Sequence, residues 1–172
     1  MFISFIDTTY YSSSESNGKS IVFVLEAYGT RVLMTGDADN ASGHTDLEQK
    51  YMKAVGDIDI LKVVHHGTSN GTTSEFLNIV DPEVAIICNG NYLGNKHGHP
   101  TPTALSNLYT YDSNMKVYAI TGGGTIDGVV NKTNNTYKCS SEDRFNQRNG
   151  IITLIIDNNG YSLSSEYYGN NI

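Results

Sequence analysis

The sequence predicts an α/β domain, a mixed β-sheet with helices packed against it. Three observations lead there. The runs Ile21-Val22-Phe23-Val24-Leu25, Ile58 to Val64 and Val84-Ala85-Ile86-Ile87-Cys88 are rich in β-branched residues. Two of them lack the alternation of a strand with one wet face, so burial on both sides is expected. Between these runs lie segments with helical apolar spacing, each opened by residues that cap helix N-termini. Finally, carboxylate and imidazole side chains stand where the apolar runs stop. At 172 residues the chain can bury a sizeable core, and residues 1–172 read as a single domain.

In chain order, residues 1–16 form a lead-in, and Ser12 to Lys19 is a polar loop. Ile21 to Ala27 is a strand that Tyr28-Gly29-Thr30 turns back into Arg31 to Thr35, a hairpin. Thr45-Asp46-Leu47-Glu48 matches a capping box ahead of a helix with Leu47, Tyr51, Met52 and Val55 on one face. The strand through Ile60, Val63 and Val64 ends at His65-His66-Gly67. Thr72-Thr73-Ser74-Glu75 is a second capping box, opening a helix that runs through Val80 and stops at Asp81-Pro82. Glu83 to Cys88 is a strand, and 89–99 a loop rich in Gly and Asn. Thr101-Pro102 supplies an N-cap and first helical position, with Leu105, Leu108 and Tyr109 facing inward. Lys116 to Thr121 and Thr125 to Val130 are strands around Gly122-Gly123-Gly124. Residues 131–149 form a polar loop, and Ile151 to Asp157 pairs with Tyr161 to Tyr168 across Asn158-Asn159-Gly160.

Composition narrows the function. The net charge is −7, from 11 basic and 18 acidic residues without a Lys/Arg cluster. Tight nonspecific nucleic-acid binding by this chain is therefore not expected, although bound divalent cations would reverse the sign locally. No apolar stretch nears the ~18 residues of a membrane span, so no membrane segment is expected. The N-terminus has neither a basic n-region nor a small-residue cleavage site, which makes the expected localisation cytoplasmic. Cys88 lies in an apolar strand and Cys139 in a polar stretch, suggesting neither a zinc CxxC nor a disulfide framework.

The candidate chemistry is Asp37 in Thr35-Gly36-Asp37, His65 and His66, and His99 in Gly98-His99-Pro100. Carboxylate and imidazole groups delivered from several strand ends are what a zinc, manganese or iron site requires. Each has a plainer reading. A Gly-Asp pair often serves only as a turn and cap, a lone histidine at a strand end is more often hydrogen-bonded structure, and His99 can simply orient its loop. His44 and His97 read as solvent-exposed. Tyr10, Tyr11, Tyr167 and Tyr168 read as packing rather than as platforms for bases.

Asn17-Gly18-Lys19-Ser20-Ile21-Val22, Thr35-Gly36-Asp37-Ala38, Leu61-Lys62-Val63-Val64-His65-His66-Gly67-Thr68 and Gly98-His99-Pro100 occur in this order. The ordered set resembles the metallo-β-lactamase superfamily, and is most similar to the hydrolase domain of late-competence DNA-internalisation proteins and their soluble relatives. The resemblance covers Asn17 to Val129. It implies an αβ/βα sandwich, represented mainly by its second half, and a metal-dependent hydrolase acting on a phosphodiester or related ester. In that family the Gly-Asp carboxylate bridges two metals and a histidine of His-His-Gly completes the second site. Those roles fall on Asp37 and on His66, with His65 the less favoured neighbour. His99 would contact the phosphate or the leaving group. The implied cofactor is a divalent metal, zinc or manganese, two of them in an intact homologue.

The chain departs from the family pattern in one respect: the first metal motif, HxHxDH or HxxxDH, is absent, and no histidine precedes Ser20. The alternative is a degenerate, non-catalytic relative acting as a binding or structural module. A half-sandwich would also leave one apolar sheet face open. Its expected cover is a second copy in a homodimer, the missing N-terminal half, or the first 16 residues together with the closing hairpin.

Overall fold

A computed structural model describes residues 1–6, 16–41, 46–88, 99–120, 145–148 and 150–167. Their central feature is a seven-stranded sheet whose spatial order follows the chain: β1 (Phe2–Ile6), β2 (Val22–Ala27), β3 (Thr30–Met34), β4 (Ile60–Lys62), β5 (Val84–Cys88), β6 (Lys116–Ile120) and β7 (Phe145–Arg148). The pairs β1–β2 and β2–β3 are antiparallel. From β3 to β7 every pairing is parallel. Parallel neighbours need crossovers, and the first three are made by α1 (Leu47–Val55), α2 (Ser74–Val80) and α3 (Pro102–Tyr111).

All three helices cover the same side. Leu47, Tyr51, Met52 and Val55 of α1, Phe76, Leu77 and Val80 of α2, and Leu105 and Leu108 of α3 share one buried cluster with Val24, Leu33, Leu61, Ala85, Ile87 and Val117 of the sheet. Side chains alternate along each strand, so Val32, Ile60, Val84, Ile86 and Tyr118 point to the opposite face. That face is covered by a two-stranded sheet, β8 (Gly150–Asp157) and β9 (Gly160–Tyr167). Leu154, Ile156, Tyr161 and Leu163 of the hairpin pack against Val32, Ile60 and Val84, and the Tyr161 hydroxyl donates to Glu83 Oε2 at 2.7 Å. The order is helices, sheet, hairpin. The two-sided apolar character of the inner strands is thus satisfied within the chain, by the closing hairpin.

Several expectations shift by a residue or a role. The 1–16 lead-in contains β1, which pairs with β2 in the register Phe5↔Phe23. The 131–149 polar stretch holds β7 at 145–148. Neither capping box forms as expected. The N-cap of α1 is Asp46, without a side-chain cap bond, and Thr45 lies outside the described residues. The cap of α2 is Thr73, not Thr72, and its side chain accepts from Phe76 N. Glu48 and Glu75 are both released for other bonds. At α3 the expected cap does form, with Thr101 accepting from Ala104 N and Pro102 in the first turn. Residues 121–144, which include the expected strand 125–130, and His44 and His97 also lie outside the described residues. Among the described residues, no helix is long and apolar enough to cross a membrane.

The two apolar layers should weigh differently. Leu61 is fully buried beneath the helices, whereas Leu154 only partly covers the opposite face. Leu61→Ala is expected to cost about 3 kcal/mol, and Leu154→Ala about 1 kcal/mol. Urea unfolding midpoints check this, and equal losses would contradict the layer assignment.

Candidate metal centre

Strands β3 and β4 run side by side in the register Met34↔Lys62, the last pair before both chains leave the sheet. Just beyond lie Thr35-Gly36-Asp37 on one strand and Val63-Val64-His65-His66 on the other. Candidate ligand atoms of Asp37, His65 and His66 all lie within 4.8 Å of one another, and all three side chains are partly exposed. His65 Nε2 is 4.0 Å from Asp37 Oδ2. His99 arrives from the segment before α3, its ring 5.4 Å from that of His65 and 6.4 Å from that of His66. The three expected donors are brought together, with His99 at their margin. Both His65 and His66 reach the cluster, so its geometry does not favour one of them.

Local chemistry explains how each donor is held. Gly36 adopts φ +54°, and a Cβ there would meet the Ser20 Cβ at 2.9 Å. Only glycine allows the Ser20 hydroxyl to come close enough to accept from Asp37 N at 3.0 Å. Gly67 has φ +82°, and its missing Cβ is where Pro100 packs, 2.7 Å away. Thr101 N donates to Gly67 O at 2.7 Å, which docks the His99 segment on the His-His-Gly turn. His66 Nδ1 is hydrogen-bonded to the Cys88 carbonyl. A carbonyl can only accept, so Nδ1 is the donor, and the neutral ring would offer Nε2 as its ligand atom, the arrangement found in metal-bound histidines. His65 has φ +55°, in the left-handed region that non-glycine residues rarely occupy. Its Nδ1 is buried and has no hydrogen-bond partner among the described residues. Burial pulls the His65 imidazole below its ordinary value, opposed by the negative charge of Asp37, which favours the neutral, ligating form.

Residues outside the sequence-derived set build the support. Lys62 Nζ donates to Gly36 O at 2.8 Å and to His65 O at 2.6 Å, while Thr35 Oγ1 donates to Lys62 O at 2.9 Å. Burial lowers the Lys62 ammonium below the usual lysine value, with Cys88 and Asp37 opposing. Behind the site, buried Glu48 accepts from Thr72 N and Thr73 N, and from Asn40 Nδ2 at 3.1 Å. Asn40 Oδ1 accepts from Glu48 N at 2.9 Å, and Asn40 N donates to Asn70 O. One carboxylate thereby joins the loop after Asp37 to the loop after His66.

Recombination protein 2 of Haemophilus influenzae is 33% identical over 106 residues, 62% of this chain and 13% of its own length. ComE operon protein 3 of Bacillus subtilis is 31% identical over 115 residues, 66% of this chain and 14% of its own. Competence protein ComA of Neisseria gonorrhoeae is 37% identical over 87 residues, 51% and 12%. The last of these is by name a competence protein, in agreement with the competence link drawn from the motifs. The chain spans only 12 to 14% of their length. No family model matches the chain.

Burial raises the Glu48 carboxyl above its ordinary 4.5, and its hydrogen bonds oppose this only in part. The folded state thus favours the protonated acid more than the unfolded chain does. The resulting penalty is absent below about pH 4.5 and grows as pH rises toward the folded-state value. Glu48→Gln has no such penalty, but it places an NH2 group among N–H donors and should lose about 1–3 kcal/mol at neutral pH. Urea unfolding should show a larger wild-type advantage near about pH 4 than at neutrality.

Proposed function

We propose that this chain is a competence-related, metal-dependent hydrolase domain of metallo-β-lactamase type, acting on a phosphodiester or related ester. The observation that carries the reading is the convergence of Asp37, His65 and His66 donor atoms within 4.8 Å at the ends of two adjacent parallel strands. Two imidazole nitrogens and a carboxylate oxygen suit a first-row cation such as zinc or manganese. The buried His65 Nδ1, without a hydrogen-bond partner among the described residues, and the donor role of His66 Nδ1 fit the same use.

A cation held there would supply Lewis acidity toward a phosphoryl or carbonyl oxygen. The chain's own residues have separate tasks. Asp37 would provide the negative charge that offsets a cation, and the Cys88 carbonyl engages His66 Nδ1, which leaves Nε2 as the ligand atom. His99, 5.4 Å from His65 ring to ring, would hold a proton for a leaving oxygen or bind the anionic substrate group. A two-cation site of the kind the resemblance implies needs more donors than this group of three. For that reason a binding or structural module is the second reading, favoured by the same small donor set.

Cobalt(II) titration with visible absorption separates these possibilities from a purely structural histidine cluster. Wild-type protein is expected to bind weakly, and Asp37→Ala or His66→Ala to abolish the signal. Metal-stimulated hydrolysis of bis(p-nitrophenyl) phosphate, lost in the same variants, would support the hydrolase. Cobalt binding without turnover would support the module, and no binding at all would overturn the metal centre.

A further inference from the structure

Lys62 closes β4 on the hairpin side of the sheet, in the middle of an otherwise apolar run from Ile60 to Val64. Burying most of an ammonium there costs desolvation, so the position demands good hydrogen bonding. Its two acceptors are unusual in where they lie. Gly36 O belongs to the residue immediately before Asp37, and His65 O belongs to a ligand candidate itself. The Gly36 carbonyl also accepts from His65 N at 3.0 Å. Thr35 Oγ1 closes the figure by donating to Lys62 O. One side chain therefore links both donor-bearing segments through their backbones.

We infer that Lys62 is a positioning residue of the metal centre, its ammonium holding the Gly36-Asp37 and His65-His66 segments at the separation that lets their donor atoms converge. The inference rests on the metal-site reading above. The His65 backbone is the part most in need of support, since φ +55° is disfavoured for a side chain bearing a Cβ. A charge-assisted bond to its carbonyl offsets that cost. Lysine suits the task because a compact ammonium with rotatable donors can serve two separate carbonyls. The planar fork of arginine matches a single carboxylate better.

Lys62→Met and Lys62→Arg, compared with wild type, provide the test. In the metal-free protein, amide hydrogen exchange at His65 should speed up about tenfold or more in Lys62→Met, with the Leu61 and Ile87 amides unchanged. Cobalt(II) affinity should fall about 10- to 100-fold, the range for lost outer-sphere support, and the d–d spectrum should change. Lys62→Arg should restore part of both. Unchanged His65 exchange and an unchanged cobalt spectrum in Lys62→Met would overturn the inference. So would faster exchange spread evenly over the chain, which marks a general loss of stability. If wild-type protein takes up no cobalt, the metal reading falls, and the site-selective exchange effect alone decides whether Lys62 fixes the two segments.

Discussion

The parallel pairing of β3 with β4, ending at Met34 and Lys62, is the constraint on which the rest of the site depends. Parallel strands deliver their carboxyl ends to the same edge, and neighbouring strands lie about 4.8 Å apart. Two side chains leaving adjacent ends are therefore already near metal-binding distance before any side-chain interaction forms. What remains is to keep the departing loops from splaying. Gly36 and Gly67 do this by permitting close approach, the first to Ser20 and the second to Pro100. A slip of one residue between β3 and β4 would reverse the facing of each side chain and separate Asp37 from the histidines.

Support comes from two ionisable side chains on opposite sides of the sheet. Lys62 reaches the loop backbones from the hairpin side, while Glu48 on α1 gathers Asn40, Thr72 and Thr73 beneath the helices. Both are removed from water, and burial moves each toward its neutral form. Each nevertheless meets several backbone partners, the usual condition for retaining a polar group inside. Hydrogen bonds to charged groups are stronger than neutral ones. Rigid backbone at the site is thus purchased with desolvation on either side of it.

Most of the sheet and its helices could be read from local pattern. The unbroken apolar runs at Val22 to Leu25 and Val84 to Cys88 pointed to double burial, and Thr101-Pro102 marked the start of α3. The donors were equally visible, because Asp37 and the two histidines stand where apolar runs stop. The supporting residues were not. Glu48 fits a capping box in sequence, but its partners at Thr72 and Thr73 lie 24 and 25 residues away, so only the packing of α1 against α2 brings them together. Lys62 did leave a trace, a lysine inside a buried strand, yet its acceptors are backbone carbonyls that no residue type announces. The strands at Phe2–Ile6 and Phe145–Arg148 escaped for a related reason. An edge strand is defined by its neighbour, and five or four residues carry too little periodicity of their own.

The identity of the cover on the second sheet face follows the same logic. The unbroken runs Ile21 to Leu25 and Val84 to Cys88 called for apolar partners on both faces, but any apolar surface would serve, because hydrophobic burial is non-directional. The closing hairpin takes up part of that demand within the described residues. Residues β8 and β9 alternate so that Leu154, Ile156, Tyr161 and Leu163 face the sheet, and the Tyr161–Glu83 bond fixes where the hairpin docks. The hairpin backbone comes nearest to β6 and β7, and its apolar side chains reach across to Val32, Ile60 and Val84. Toward β1 the cover thins, and Phe5, packed on Phe23 with ring centroids 5.9 Å apart, remains 72% exposed. The apolar cluster under the hairpin thus includes β3 and β4, the strands whose ends lead to Asp37, His65 and His66, where a rigid backbone matters to the site.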